Sequence, residues 1–177
     1  MRYKNLAVTA FILTLCGVFS SASARTWYVN VSGTGDAPTI QAALDSAVAG
    51  DTVLVASGTY HETIGIPASV VLKSEFGPLQ TSIIGVGEPG IPQPPFAIIA
   101  HDYATLDGFT ADGAYLYTVA CNDRVVIRNN IITRGLEASN YNLIEHNLFF
   151  TPGLVAIGGY QVAFIRNIVF CDFNCQW

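Results

Sequence analysis

Apolar and polar positions repeat one phrase three times in the second half of the chain: VIRNNII at Val126–Ile132, LIEHNLF at Leu143–Phe149 and FIRNIV at Phe164–Val169. Each runs apolar, Ile, charge, one or two polar residues with Asn, then apolar again. A phrase of strand length recurring about every twenty residues marks a solenoid, in which each turn buries its apolar face against the next. Upstream, Ala37–Val48 (APTIQAALDSAV) sets Ile40, Ala43, Leu44 and Ala47 at helical spacing, and Ala49-Gly50-Asp51 stops it. Thr52–Ala56 (TVLVA) is a β-branched run bounded by the turn signal Ser57-Gly58. Beyond it come only short strands with Gly, Asn and Pro corners. The pattern predicts an N-terminal capping helix followed by about six rungs of an all-β, single-stranded parallel β-helix.

Placing Val55, Leu72, Leu106, Ile127, Ile144 and Ile165 inward puts the next residue of each rung outward, because strand side chains alternate. Those outward residues are Ala56, Lys73, Asp107, Arg128, Glu145 and Arg166, and from Lys73 onward the charges alternate in sign. Parallel strands lie about 4.8 Å apart, so each charge would face an opposite one above or below. An exposed pair of this kind contributes roughly 0–1 kcal/mol, so the column serves mainly to specify register. Asn129, Asn130, Asn147 and Asn167 follow the column at a corner, where Asn tolerates left-handed backbone and can stack into a ladder of amides.

Residues 1–24 carry Arg2 and Lys4, an apolar run Leu6–Phe19 and Ser-Ala-Ser-Ala before Arg25. That order is a secretory signal peptide, and it places residues 25–177 in a secreted or periplasmic setting as one domain. Nothing else in the sequence is long and apolar enough to span a membrane. Without the leader, 6 basic residues remain against 13 acidic ones, a formal charge of −7. Such a surface repels phosphate backbones, which argues against nucleic acid as a partner. Cys121, Cys171 and Cys175 then remain, either as a Cys171–Cys175 pair with Cys121 left over or as three buried thiols.

The stretch Gly35–Ile64 (GDAPTIQAALDSAVAGDTVLVASGTYHETI) is similar to the opening of pectinesterase-like β-helix proteins. Thr105–Ala111 (TLDGFTA) and Val125–Thr133 (VVIRNNIIT) look like rungs of the same group, the pectin-lyase-like superfamily of right-handed parallel β-helices. The resemblance implies a binding surface on the outer face of the sheet after the corner, at Ala114–Thr118, Leu136–Ser139 and Leu154–Ile157. That face would show Tyr115, Tyr117, Glu137, Ser139, Val155 and Ile157. A lyase of this kind needs several carboxylates gathered on calcium, and only Glu137 is available. A hydrolase needs paired Asp residues, and an esterase needs an acid beside Gly159-Tyr160-Gln161; both are missing from the sequence.

No catalytic residue is therefore assigned. The expected function is carbohydrate binding or a surface scaffold; Tyr115, Tyr117 and Glu137 are the candidate carbohydrate-binding residues, with a polysaccharide as the expected partner, since flat rings stack on sugars. The competing expectation is a lyase or esterase acting on pectin-type polymers. His61, His101 and His146 lack metal-ligand spacing. Asp102, Asp107 and Asp112 recur every five residues, a calcium cluster only if strand and corner let them converge. The Pro-rich Glu88–Pro95 is stiff enough to form a wall beside the sheet. Cys171–Trp177 (CDFNCQW) offers no capping helix, so Trp177, a partner or further rungs of a longer chain are expected to cover that end.

Overall fold

The computed structural model describes residues 23–87, 96–114, 117–151 and 156–171. The expected signal peptide falls almost wholly outside the described residues. So do the Pro-rich segment, Tyr115, Cys175 and Trp177.

Short β-branched and aliphatic runs broken by left-handed corners fold into three parallel sheets. The first holds β1 (Thr26–Val29), β2 (Thr52–Val55), β5 (Val71–Ser74), β8 (Thr105–Asp107), β11 (Val126–Arg128), β14 (Leu143–Glu145) and β17 (Ala163–Ile165), in that order. The second holds β3 (Gly58–His61), β6 (Thr81–Ile84), β9 (Thr110–Asp112), β12 (Ile131–Ile132), β15 (Leu148–Thr151) and β18 (Ile168–Cys171). The third holds β4 (Ile64–Ile66), β7 (Phe96–Ala100), β10 (Tyr117–Cys121), β13 (Leu136–Ala138) and β16 (Ala156–Ile157). The chain visits the three sheets in rotation, completing five turns from β2 to β16 and beginning a sixth with β17 and β18. This is a parallel β-solenoid.

Its only helix among the described residues, α1 (Ile40–Ser46), is shorter than the predicted 37–48 because Ala47 is already extended, with ψ 144°. Thr39 Oγ1 accepts from Ala42 N at 3.1 Å, and the Glu62 carboxylate accepts from Ile40 N and Gln41 N at 3.0 and 2.9 Å. A carboxylate thus meets the positive end of the helix. Ile40, Ala43 and Leu44 are buried, and α1 packs on β1, β2 and β4. No helix among the described residues is long and apolar enough to cross a membrane.

Inside the coil, Leu72, Leu106, Ile127 and Ile144 stack in register and are fully buried. Two of the expected partners differ. Val53, not Val55, stands beside Leu72; both valines face inward two residues apart, so the pattern alone did not choose between them. Phe164, not Ile165, stands beside Ile144. The outward column accordingly runs Leu54, Lys73, Asp107, Arg128, Glu145 and Ile165, and Arg166 lies at the corner with φ 53°. Four of the five charges alternate as expected. The ion pair is tighter and drier than the exposed pairs foreseen: Arg128 Nε lies 3.0 Å from Asp107 Oδ2, Asn129 Nδ2 donates to Asp107 Oδ1 at 2.8 Å, and Asp107 is buried.

The corner after the first sheet separates two roles that the sequence merged. Gly108, Asn129, His146 and Arg166 all have left-handed backbone. The residues that follow form the ladder. Asn130 N and Nδ2 donate to Asn147 Oδ1 at 2.9 and 3.1 Å, and Asn147 N and Nδ2 donate to Asn167 Oδ1 at 2.8 and 3.0 Å. His146 is therefore the equivalent of Asn129, beside the ladder and not in it. Phe109 holds the ladder position one turn earlier, its N–H received by Asn130 Oδ1 at 2.8 Å.

Candidate functional site

The expected binding face is rearranged by the boundaries of the third sheet. β10 spans Tyr117–Cys121, three residues later than the expected Ala114–Thr118. Tyr117 pairs with Phe96, their rings stacked with centroids 6.4 Å apart, and it shares strand parity with the buried Val119. Glu137 pairs instead with Ala120, on the opposite parity, and is exposed. Tyr117 and Glu137 thus do not share a face, and Tyr115 and Val155 lie outside the described residues. Ser139 follows β13 and is half-buried.

The polar side chains gather at the next corner, where the third sheet turns into the first. A carboxylate or amide occupies the same place on successive turns. Asp123 N donates to Asp102 Oδ1 at 3.2 Å, Asn140 N and Nδ2 donate to Asp123 Oδ1 at 3.0 and 3.1 Å, and Tyr160 N donates to Asn140 Oδ1 at 3.0 Å. These groups satisfy main-chain donors that a corner would otherwise leave to water. The residues after them, Ser69, Tyr103, Arg124, Tyr141 and Gln161, all adopt left-handed backbone, with φ between 57° and 61°. That conformation turns their side chains outward before the chain re-enters the core at Val70, Ala104, Val125 and Asn142.

Three of these side chains form a stack. The Arg124 guanidinium carbon lies 5.4 Å from the Tyr103 ring centroid and 5.0 Å from that of Tyr141, within cation–π range of both. Tyr103 is 56% exposed and Tyr141 48%, and Tyr160 stands beside them at 81%. Arg124 makes no ion pair among the described residues. Its guanidinium and the phenol hydroxyls are the groups of the stack able to donate hydrogen bonds. His101 Nδ1 and Asn122 Nδ2 stand 3.4 Å apart on the side nearer Glu137. The stripe therefore combines flat apolar area, donors and carboxylates on a rigid corner.

No local motif marks Tyr103, Arg124 or Tyr141, and the sequence pattern alone assigns them no role. The signal was a spacing. Tyr103, Arg124 and Tyr141 are 21 and 17 residues apart, the same intervals that separate Leu106, Ile127 and Ile144. Asp102, Asp107 and Asp112 do not converge: they lie at this corner, in the first sheet and in the second sheet. Asp112 accepts from Gly113 N and Thr133 Oγ1, at 2.7 and 2.6 Å. Among the described residues no three His, Cys, Asp or Glu side chains are grouped to hold a metal. Cys121 is a free thiol buried behind Glu137, and burial pushes its pKa strongly up, with the Glu137 charge adding to the shift, so the nucleophilic thiolate is suppressed.

No protein-family profile and no curated protein matches the chain. What the structure shows is the parallel β-solenoid itself.

Proposed function

We propose that this chain is a secreted, right-handed β-helix domain of pectin-lyase-like type that binds carbohydrate and has no catalytic centre of its own. The observation that carries the reading is the exposed Tyr103–Arg124–Tyr141 stack on three successive turns. Ring edges and outer faces suit the apolar faces of sugar rings, and the guanidinium and phenols supply donors for sugar hydroxyls. Three turns of one coil fix these groups at a constant spacing, so little side-chain freedom is lost on binding. A polymer would gain from several weak contacts in a row. Glu137, one sheet edge away, adds an acceptor; Tyr117 has no place in the stripe.

The test is electrophoresis through gels containing neutral and acidic plant polysaccharides. The native protein should be retarded by at least one of them. The double variant Tyr103→Ala with Tyr141→Ala should lose most of that retardation while its melting temperature holds within a few degrees. Retardation unchanged in the double variant would remove the stripe from the reading. The second reading is a pectin-active lyase or esterase, favoured only by the resemblance of the opening residues. Release of unsaturated product or acid, abolished by Glu137→Ala, would establish it in place of the first.

A further inference from the structure

We infer that the ligand of the corner stripe is a neutral polysaccharide lying along the coil axis. This rests on the carbohydrate-binding reading proposed above and adds to it the course and the charge of the polymer. The course follows from the spacing. Tyr103, Arg124 and Tyr141 come from three successive turns, with the guanidinium carbon 5.4 and 5.0 Å from the two ring centroids. A polymer crossing the coil would meet one of these side chains, whereas a polymer running from turn to turn meets all three.

The charge follows from what surrounds the stack. Arg124 is the one Lys or Arg among the described residues of this corner. Asp102 and Asp123 immediately precede Tyr103 and Arg124, and Glu137 lies exposed on β13, which leads into the corner below Tyr141. Each aspartate commits one oxygen to the main chain of the next turn: Asp102 Oδ1 accepts from Asp123 N at 3.2 Å, and Asp123 Oδ1 accepts from Asn140 N at 3.0 Å. Neither Oδ2 accepts a hydrogen bond from another described residue. Asp102 is exposed and Asp123 half-buried, so acceptors stand beside the stack.

These groups discriminate between two kinds of polymer. A polyuronate carries a carboxylate on every sugar. Along three turns it would set several anions beside three carboxylates and one guanidinium, and that cation is already shared between two rings. The formal charge of the chain, −5 at pH 7, adds to the repulsion. A neutral sugar meets no opposition here: its hydroxyls can donate to the aspartate oxygens and accept from Arg124, and its apolar face can lie against a tyrosine. Selection by carboxylates that turn away the wrong partner is a common source of specificity.

Electrophoresis of the full chain through polymer-containing gels, in buffer with a chelator, separates charge from backbone when the polymers are compared in pairs. Hydroxyethyl cellulose is set against carboxymethyl cellulose, and fully methyl-esterified polygalacturonate against the de-esterified form. At least one neutral member should bind at least about tenfold more tightly than its acidic partner. In Asp102→Asn with Asp123→Asn, which keeps an oxygen for each main-chain donor, that gap should close to about threefold or less. An acidic member bound as tightly as its neutral partner, with binding lost in Tyr103→Ala with Tyr141→Ala, would overturn this inference and leave the carbohydrate reading standing. A gap unchanged by the aspartate exchange would also overturn it, since its source would lie away from this corner. Retardation by none of the four polymers, or retardation that the tyrosine variant keeps, would overturn both.

Discussion

Asp51, just ahead of β2, has both carboxylate oxygens committed. Oδ1 accepts from Arg25 N at 2.8 Å, and Oδ2 accepts from Trp27 Nε1 and Val48 N, each at 3.1 Å. These hydrogen bonds, led by the one from Arg25, hold its carboxyl below the ordinary aspartate value of 3.8. The unfolded chain therefore takes up the proton first, and the stability Asp51 contributes is present above about pH 4 and lost as pH falls through the folded value. In Asp51→Asn an amide N–H would face donors, so the urea midpoint at pH 7 should drop. The further loss of stability between about pH 4 and pH 2 should shrink, because one titrating group is gone; urea melts of both proteins across that range measure it. An unchanged acid limb would reject this assignment. At this scale the sequence showed which residue types sit at corners, since Asn129 and Gly108 are ordinary left-handed residues. It did not show Tyr103, Arg124 or Tyr141 there, because their conformation is imposed by the turns on either side and not by their own preference.

Elements in this coil are defined less by strands of two to five residues than by what runs across them. Ile127, Ile144 and Phe164 each stand three residues before a ladder Asn, so aligning the phrases on Asn, not on Ile, gives the true register of the last turn. The amides were the better marker because a buried amide tolerates no slip, whereas Phe and Ile exchange freely in a core. A second ladder exists with a single member. Asn142 Oδ1 accepts from Val125 N at 2.8 Å, but its buried Nδ2 has no partner among the described residues, where the next turn offers Val162. Val162→Asn would place a side-chain oxygen in front of that Nδ2. It should raise unfolding stability by about 1 kcal/mol, read from urea melts, as an orphaned donor is satisfied. A loss of stability would mean that the apolar contact of Val162 outweighs the new bond.

The whole molecule is a stack in which each turn is held by the one before and the one after, so its local stability should follow position along the coil. Ile131 N donates to Phe109 O at 2.9 Å in the interior, and Ile168 N donates to Asn147 O at the same distance in the last described turn. Amide exchange should separate two bonds of equal length: Ile168 should exchange at least about tenfold faster than Ile131, because the apolar side chains around it, Phe164, Ile165 and Phe170, are exposed whereas Ile132 and Phe109 beside Ile131 are fully buried. Equal rates would mean that the coil opens as one unit. The architecture was legible in the sequence because every turn repeats the same inward choice, and repetition averages out local errors. The corner stripe was not, because it depends on side chains 17 and 21 residues apart that share no local motif. The alternation of Lys73, Asp107, Arg128 and Glu145 also bears on how such a chain can change in length. Excising residues 126–142 would rejoin equivalent points of the coil yet set Asp107 against Glu145, and it would remove Tyr141, leaving Arg124 with only the Tyr103 ring. Excising residues 105–142 would instead bring Lys73 beside Glu145, a matched pair, so insertions and deletions compatible with the charge order come in even numbers of turns.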